Sequence, residues 1–365
     1  MEKEFMLRAI RLAEKGTGKV NPNPLVGAVI VKNGRVTGEG YHEKYGGLHA
    51  ERNALKNCTD AEGATMYVTL TPCCHTGKTP PCTDAVIESG IKKVVIGSRD
   101  TNPLVGEKSI KILRDAGIEV VQDFMKEECD ALNPVFFKYI TTSKPYVVMK
   151  FAETLDGKIA TSTMESKWIT GETAREHVHI TRSRYTGIMV GINTVLKDNP
   201  LLNCRAEGGR NPVRIVCDTD LRTPLTSQLV ATAHMYPLII ATSVTDIERI
   251  KPYQERHCTV FQIKKGTDGH IDLNELMTEL AKMKIDSILL EGGSTLHGAA
   301  LSAGIVDKVE AYIAPKIFGG KEAPSPVGGI GVLHPSDALM LKNIKLTPLG
   351  EDILIEGDVI KCSQE

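Results

Sequence analysis

No apolar run in the 365-residue chain approaches the roughly 20 residues that cross a bilayer, and Met1-Glu2-Lys3-Glu4 is not a basic segment leading into an apolar one. Neither membrane insertion nor export is expected. Surplus charge is missing too, because 44 Lys and Arg against 45 Asp and Glu leave a formal net charge of −1. A nucleic-acid or membrane surface built on bulk electrostatics is therefore disfavoured, and the expected partner is a small molecule. The nine cysteines form no disulfide framework, since their number is odd and Cys58, Cys129, Cys204, Cys217, Cys258 and Cys362 are scattered along the chain. A reducing cytoplasm is the expected location. Internal repeats, low-complexity tracts and a Gly-x-Gly-x-x-Gly turn after a strand are also missing. An ordinary Rossmann dinucleotide site is thus not expected.

What the chain does have is His49-Ala50-Glu51 followed by Thr71-Pro72-Cys73-Cys74-His75-Thr76-Gly77-Lys78-Thr79-Pro80-Pro81-Cys82. A hydrolytic zinc ion needs three protein ligands and one open position, and His49, Cys73 and Cys82 supply one imidazole and two thiolates. Glu51 is then available for proton transfer, as in zinc nucleobase deaminases, where a His-x-Glu element opens a helix. Eight residues separate Cys73 from Cys82, against two in the usual Pro-Cys-x-x-Cys ending. Cys74 is a poor third thiolate, because adjacent residues of an extended segment point to opposite sides. His75 is a rival ligand, but the three others already satisfy an open site. The competing structural reading is a closed zinc knuckle, which would need a fourth ligand and have no use for Glu51.

Hydrophobic periodicity outlines an α/β chain. Phe5, Ala9, Leu12 and Ala13 recur at helical spacing and stop before Gly16. Leu25 to Val31 and Val36 to Tyr41 flank Asn33-Gly34, a strong hairpin signal. A helix from His49, a strand over Met66 to Leu70, a helix from about Pro81, a strand over Lys93 to Gly97, a helix near Lys108 to Asp115 and a strand over Ile118 to Gln122 complete the first half. Thr141-Thr142-Ser143-Lys144-Pro145 is polar and proline-blocked, so domains of residues 1–144 and 145–365 are expected. The second half alternates again, with strands over Tyr146 to Phe151, Gly187 to Gly191, Val213 to Asp218, Leu238 to Thr242 and Ser287 to Glu291, and a helix over Leu273 to Met283. Its best phosphate-binding element is Glu291-Gly292-Gly293-Ser294-Thr295-Leu296-His297-Gly298, a glycine turn between an apolar strand and a helical run.

These motifs together resemble one family. Pro72 to Cys82, Asn21-Pro22-Asn23-Pro24-Leu25-Val26-Gly27-Ala28-Val29 and Arg99-Asp100-Thr101-Asn102-Pro103 are similar to the deaminase half of the bifunctional riboflavin-biosynthesis deaminase/reductases. Lys150-Phe151-Ala152-Glu153-Thr154-Leu155-Asp156-Gly157-Lys158-Ile159-Ala160, Ser166-Lys167-Trp168-Ile169-Thr170 and Glu291-Gly292-Gly293-Ser294 are similar to the reductase half, in the same order. The resemblance implies an N-terminal cytidine-deaminase-like α/β sandwich and a C-terminal dihydrofolate-reductase-like α/β domain. It implies one Zn2+ per chain, NADPH in the second domain, a phosphorylated pyrimidine as substrate and a homo-oligomer. Thr71 and Cys74 depart from the family, which usually has an acidic residue and a serine there.

By the same resemblance Asn23, His42, His75, Lys78, Asp100 and Asn102 bind the pyrimidine and its ribose phosphate. Ala152, Trp168, Thr194, Asp198, Thr219, Gly293, Ser294, Thr295, Leu296, His297, Gly298 and Ala299 contact the cofactor. Ser166, Arg182, Leu202, Arg205 and Glu291 face the reductase substrate, the two arginines being suited to its phosphate. Three of these residues carry blander alternatives. Trp168, the only tryptophan, also suits a core anchor. Lys78 also suits plain solvation, and Asp198 also suits bracing of Lys197-Asp198-Asn199-Pro200. His177 and His179 are expected on a helix surface without a role. The rival functions are a single-activity zinc deaminase with a non-catalytic C-terminal binding domain, which consumes no NADPH, and a zinc-stapled scaffold.

Overall fold

Strand Gly27–Lys32 (β1) shows why the first half folds in three layers. Successive side chains point to opposite faces of a strand. Ala28 and Ile30 enter one apolar cluster with Ala50, Ala54, Val86, Ile110 and Leu113. Val29 and Val31 enter another on the far face with Met6, Ala9, Leu12 and Tyr67. The sheet is completed by Arg35–Tyr41 (β2), Thr65–Leu70 (β3), Lys93–Ser98 (β4) and Glu119–Val121 (β5), in the order β2-β1-β3-β4-β5. β1 runs antiparallel to β2 and β3, whereas β3, β4 and β5 are parallel. Helix Glu2–Glu14 covers one face, and helices Ala50–Lys56, Cys82–Glu88 and Gly106–Asp115 cover the other. In the hairpin Asn33 has φ 50° and Gly34 φ 74°, the pair of positive angles a two-residue primed turn requires.

The computed structural model describes residues 1–102 and 106–360 and divides into two units, Met1–Ser143 and Lys144–Glu365. Pro103 of the Arg99 to Pro103 motif and Cys362 lie outside the described residues.

The second unit is built on a larger mixed sheet. Its strands are Tyr146–Thr154 (β6), Gly187–Gly191 (β7), Val213–Cys217 (β8), Leu238–Thr242 (β9), Cys258–Gln262 (β10), Ser287–Leu290 (β11), Lys308–Ala314 (β12), Leu341–Leu349 (β13) and Asp352–Val359 (β14). Their order is β10-β9-β8-β7-β11-β6-β12-β14-β13. The ladder is parallel from β10 to β12 and antiparallel through β14 and β13. Met189 and Ile215 point into one core cluster, Ile188, Val190 and Val216 into the other, so both faces are covered. Glycine turns between strand and helix lie at one end of these parallel strands, where α/β sheets open a crevice.

Candidate active sites

Two local arrangements bring the zinc-type donors together. His49 is extended, with φ −72° and ψ 165°, and immediately precedes helix Ala50–Lys56. Cys82 is the first residue of helix Cys82–Glu88, and its amide and that of Thr83 donate to the Cys73 carbonyl at 3.0 and 3.1 Å. That backbone clasp folds the long loop back on itself, so the eight intervening residues do not separate the two thiols. His49 Nδ1 lies 3.4 Å from Cys73 Sγ and 3.4 Å from Cys82 Sγ. The three ligand atoms all fall within 4.8 Å of one another, and among the described residues no other such His, Cys, Asp or Glu group is found. Soft sulfur and imidazole donors in this number fit a zinc ion with an open position. Cys74 and His75 are outside the cluster.

A cavity of about 250 Å³ opens beside these donors. Glu51, 3% exposed, lines it together with Asn23, His42, His75, Lys78, Asp100 and Asn102, so every polar residue expected there reaches the same space. Burial, helped by the Cys73 charge, pushes the Glu51 carboxyl up to about 7. His42 Nδ1 donates to the Leu48 carbonyl at 2.9 Å, which leaves Nε2 to accept from the Asn23 amide at 3.1 Å. Burial is also the main cause that pushes Asp100 up to about 6, while its Oδ1 accepts the Asn102 amide at 2.8 Å. Lys78 is not merely solvated, for its Nζ lies 3.9 Å from the centroid of Tyr45. Thr71 accepts the Asp100 amide at 3.1 Å, so this departure from the family pattern ties the Asp100 loop to the end of β3. Tyr45 and Phe136 also line the cavity and carried no signal in the sequence.

In the second unit a cavity of about 410 Å³ is lined by Ser166, Thr194, Asp198, Thr219, Gly293, Ser294, Thr295, Leu296 and Ala299. Gly292 has φ 123°, a conformation reserved for glycine, and Gly293 caps helix Ser294–Ser302. The first amides of that helix, with Lys197 and Arg222 lining the same cavity, suit a phosphate-bearing cofactor such as NADPH. Lys197, at the end of helix Ile192–Asp198, and the loop residues Arg222 and His270 were not singled out from the sequence, because a single polar side chain has no periodic signature.

Several residues stand elsewhere. His297 is buried and its Nδ1 contacts the Pro326 carbonyl at 2.9 Å. A Cβ on Gly298 would fall 2.2 Å from the Gly328 carbonyl oxygen, so this glycine permits a close backbone approach. Neither residue lines the cavity, and Ala152 packs instead against Ala174, Tyr312 and Leu354. Trp168 is 63% exposed and stacks on the Arg175 guanidinium at 4.6 Å, so it is no core anchor. Arg182 and Glu291 form a bidentate pair, with both contacts at 2.7 Å. Lys150 feels the Glu291 and Arg182 charges, and burial pushes its ammonium below the usual lysine range. Leu202 is buried, Arg205 is exposed, and His177 and His179 are half-buried.

Comparison with known proteins covers both units. Residues 1–98 match the cytidine and deoxycytidylate deaminase zinc-binding region, and residues 145–355 match the RibD C-terminal domain. The riboflavin biosynthesis protein RibD of Actinobacillus pleuropneumoniae is 56% identical over 98% of this chain and 95% of its own. The chain belongs to the RibD family. The Escherichia coli RibD is 38% identical over 96% of this chain and 97% of its own. The solved Acinetobacter baumannii RibD superposes with a TM-score of 0.89 at 34% identity, covering 99% of each chain. The Thermotoga maritima diaminohydroxyphosphoribosylaminopyrimidine deaminase/reductase gives a TM-score of 0.85 at 38% identity, covering 98% of each. This RibD-family chain is thus a bifunctional riboflavin-biosynthesis enzyme, a zinc deaminase joined to an NADPH-dependent reductase, with the two expected α/β folds. The single-activity reading is not favoured, because the resemblance spans the whole chain. Among the described residues no helix is long and apolar enough to cross a membrane.

Proposed function

We propose that His49, Cys73 and Cys82 hold the zinc and that Glu51 is the proton shuttle of a deamination whose substrate is the phosphorylated diaminopyrimidinone ribosylamine. Bound there, zinc supplies Lewis-acid activation of a water molecule near neutral pH. Glu51, beside the donor set and outside it, takes the first proton of the attacking water and passes it to the ring nitrogen, then takes the second from the hydroxyl of the adduct and passes it to the departing amine. Ammonia leaves, and a carbonyl replaces the amine. A carboxyl whose burial pushes it up to about 7 suits a group that must hold a proton between two transfers. Asn23, His42, His75, Asp100 and Asn102 orient the pyrimidine, and Lys78 over Tyr45 meets the ribose phosphate.

The second unit reduces the ribosyl group of the deaminated uracil to ribityl, with NADPH supplying the hydride. Gly293 to Leu296 present helix-start amides to the cofactor phosphates, and Thr194, Asp198 and Thr219 line the same cavity. Ser166 and Arg205 face the substrate, and the Arg182–Glu291 pair fixes the wall behind it. The location is the cytoplasm, where zinc thiols stay reduced.

The observation that carries the reading is the convergence of His49 Nδ1 on two thiols at 3.4 Å beside a buried Glu51. Following ammonia release and NADPH loss together tests it. Dipicolinate treatment is expected to abolish ammonia release from the diamino substrate and to leave NADPH consumption intact when the deaminated intermediate is supplied. Ammonia release that survives complete zinc removal contradicts the assignment.

The chain also self-associates in this reading, through the open edge of the second sheet. Ile344, Leu346 and Ile353 of the β13–β14 hairpin are 52%, 63% and 46% exposed, more apolar surface than an edge strand leaves to water. Sedimentation velocity should give an oligomer for the wild type and a smaller species for Ile344→Lys/Leu346→Lys. A wild-type monomer at micromolar concentration counts against it.

A further inference from the structure

Helix Glu172–Arg184 carries a histidine that no step above uses. His179 lies one turn before Arg182, half-buried on the same helix. Its Nε2 stands 3.1 Å from Nε of Arg205, and its Nδ1 stands 3.3 Å from the Arg205 amide. The His179 carbonyl accepts the Cys204 thiol at 3.1 Å, and the Cys204 amide donates to Asn211 Oδ1 at 2.8 Å. The segment carrying Arg205 is therefore tied to the helix at more than one point. A neutral imidazole has one acceptor nitrogen, so only one Arg205 contact is a hydrogen bond at a time, and the guanidinium contact is the shorter. Burial, with the Arg182 and Arg205 charges, pushes His179 down to about 4, which keeps it a neutral acceptor at physiological pH.

The nearby cations differ in what they have left to offer. Arg182 spends Nε and Nη2 on Glu291 and donates Nη1 to the Asn203 carbonyl at 3.1 Å. Arg205 is exposed, and among the described residues its side chain meets His179 through Nε alone. We propose that His179 is a positioning residue of the reductase, taking the Arg205 Nε–H so that both terminal NH2 groups are presented together to the substrate phosphate. An arginine held at Nε has its end-on fork aimed before the phosphate arrives, and less side-chain freedom is lost on binding. This inference rests on the reading of Arg205 as a phosphate ligand.

Steady-state reductase kinetics with the deaminated intermediate and with its dephosphorylated counterpart test it. His179→Ala is expected to raise KM for the phosphorylated form about tenfold with kcat unchanged, and to leave KM for the dephosphorylated form alone. His179→Gln, whose amide oxygen can accept the same Nε–H, should restore most of the loss. In an Arg205→Ala background the histidine substitution should add nothing. An unchanged KM in His179→Ala, while Arg205→Ala raises it, overturns the inference and leaves the Arg205 reading standing. No effect of Arg205→Ala overturns that reading itself. A fall in kcat with both substrates marks His179 as structural and likewise overturns the proposal.

Discussion

Glu51→Gln is expected to lower deamination about 10³-fold while leaving zinc content and the reductase rate on supplied intermediate unchanged, since positioned general acid–base groups contribute roughly 10² to 10⁴. The glutamine keeps the volume of a side chain that is 3% exposed, so no cavity and no overpacking arise. It also removes a carboxyl that burial holds at about 7, and so spares the fold the cost of ionising it. Stability should therefore stay level or rise while turnover collapses. Metal analysis separates this outcome from loss of the ion, because the three clustered donors are His49, Cys73 and Cys82 and do not include Glu51. Deamination within about tenfold of wild type would remove Glu51 from the proton path and leave the zinc site with a binding role only.

The parts of the molecule legible in the sequence are those fixed by short-range geometry. His49 and Glu51 sit on one helix start, so their separation in sequence nearly determines their separation in space. The Asn33-Gly34 hairpin is similar, since both residues must take positive φ. The Cys73 to Cys82 loop needed a further device, the two amides donating to the Cys73 carbonyl, which no spacing rule contains. The pairing of Arg182 with Glu291 was not legible. Arg182 and Glu291 are 109 residues apart and meet because helix Glu172–Arg184 packs where β11 ends. The family resemblance set each of them facing the substrate and gave no sign of the pairing. Trp168, assigned to the cofactor by resemblance with a core anchor as the alternative, is exposed and lies over the Arg175 guanidinium, which sets the core alternative aside. His297 and Gly298 follow the Gly292-Gly293 turn in sequence, yet a helix rotates successive residues about its axis, and these two face the Pro326 to Gly328 segment.

Arg182→Ala is expected to destabilise the second unit by about 3–5 kcal/mol, the cost of leaving a buried carboxylate without its cation. The Glu291 side chain is 8% exposed and that of Arg182 14%, so water cannot replace the lost partner. Burial alone would raise the Glu291 pKa, but the Arg182 charge and hydrogen bonds, with Lys150, outweigh it and hold the carboxyl at about 2, against 4.5 unperturbed. A group depressed in the folded state stabilises fully above its unfolded pKa and loses that contribution as pH falls through its folded value. The stability gap between wild type and Glu291→Gln should accordingly be widest above pH about 4.5 and close between about 4.5 and 2. Denaturant melts of both proteins across that range measure it. The double variant Arg182→Met/Glu291→Leu should be milder than Arg182→Ala, since removing both charges together leaves neither buried alone. Deamination should stay intact in all of these proteins, because the pair lies within the second unit. Reductase activity should fall about 100-fold or more in Arg182→Ala, as a misplaced active-site wall costs orientation. If Arg182→Ala melts like wild type and loses only substrate affinity, the arginine is a ligand and the carboxylate pair is incidental to the fold.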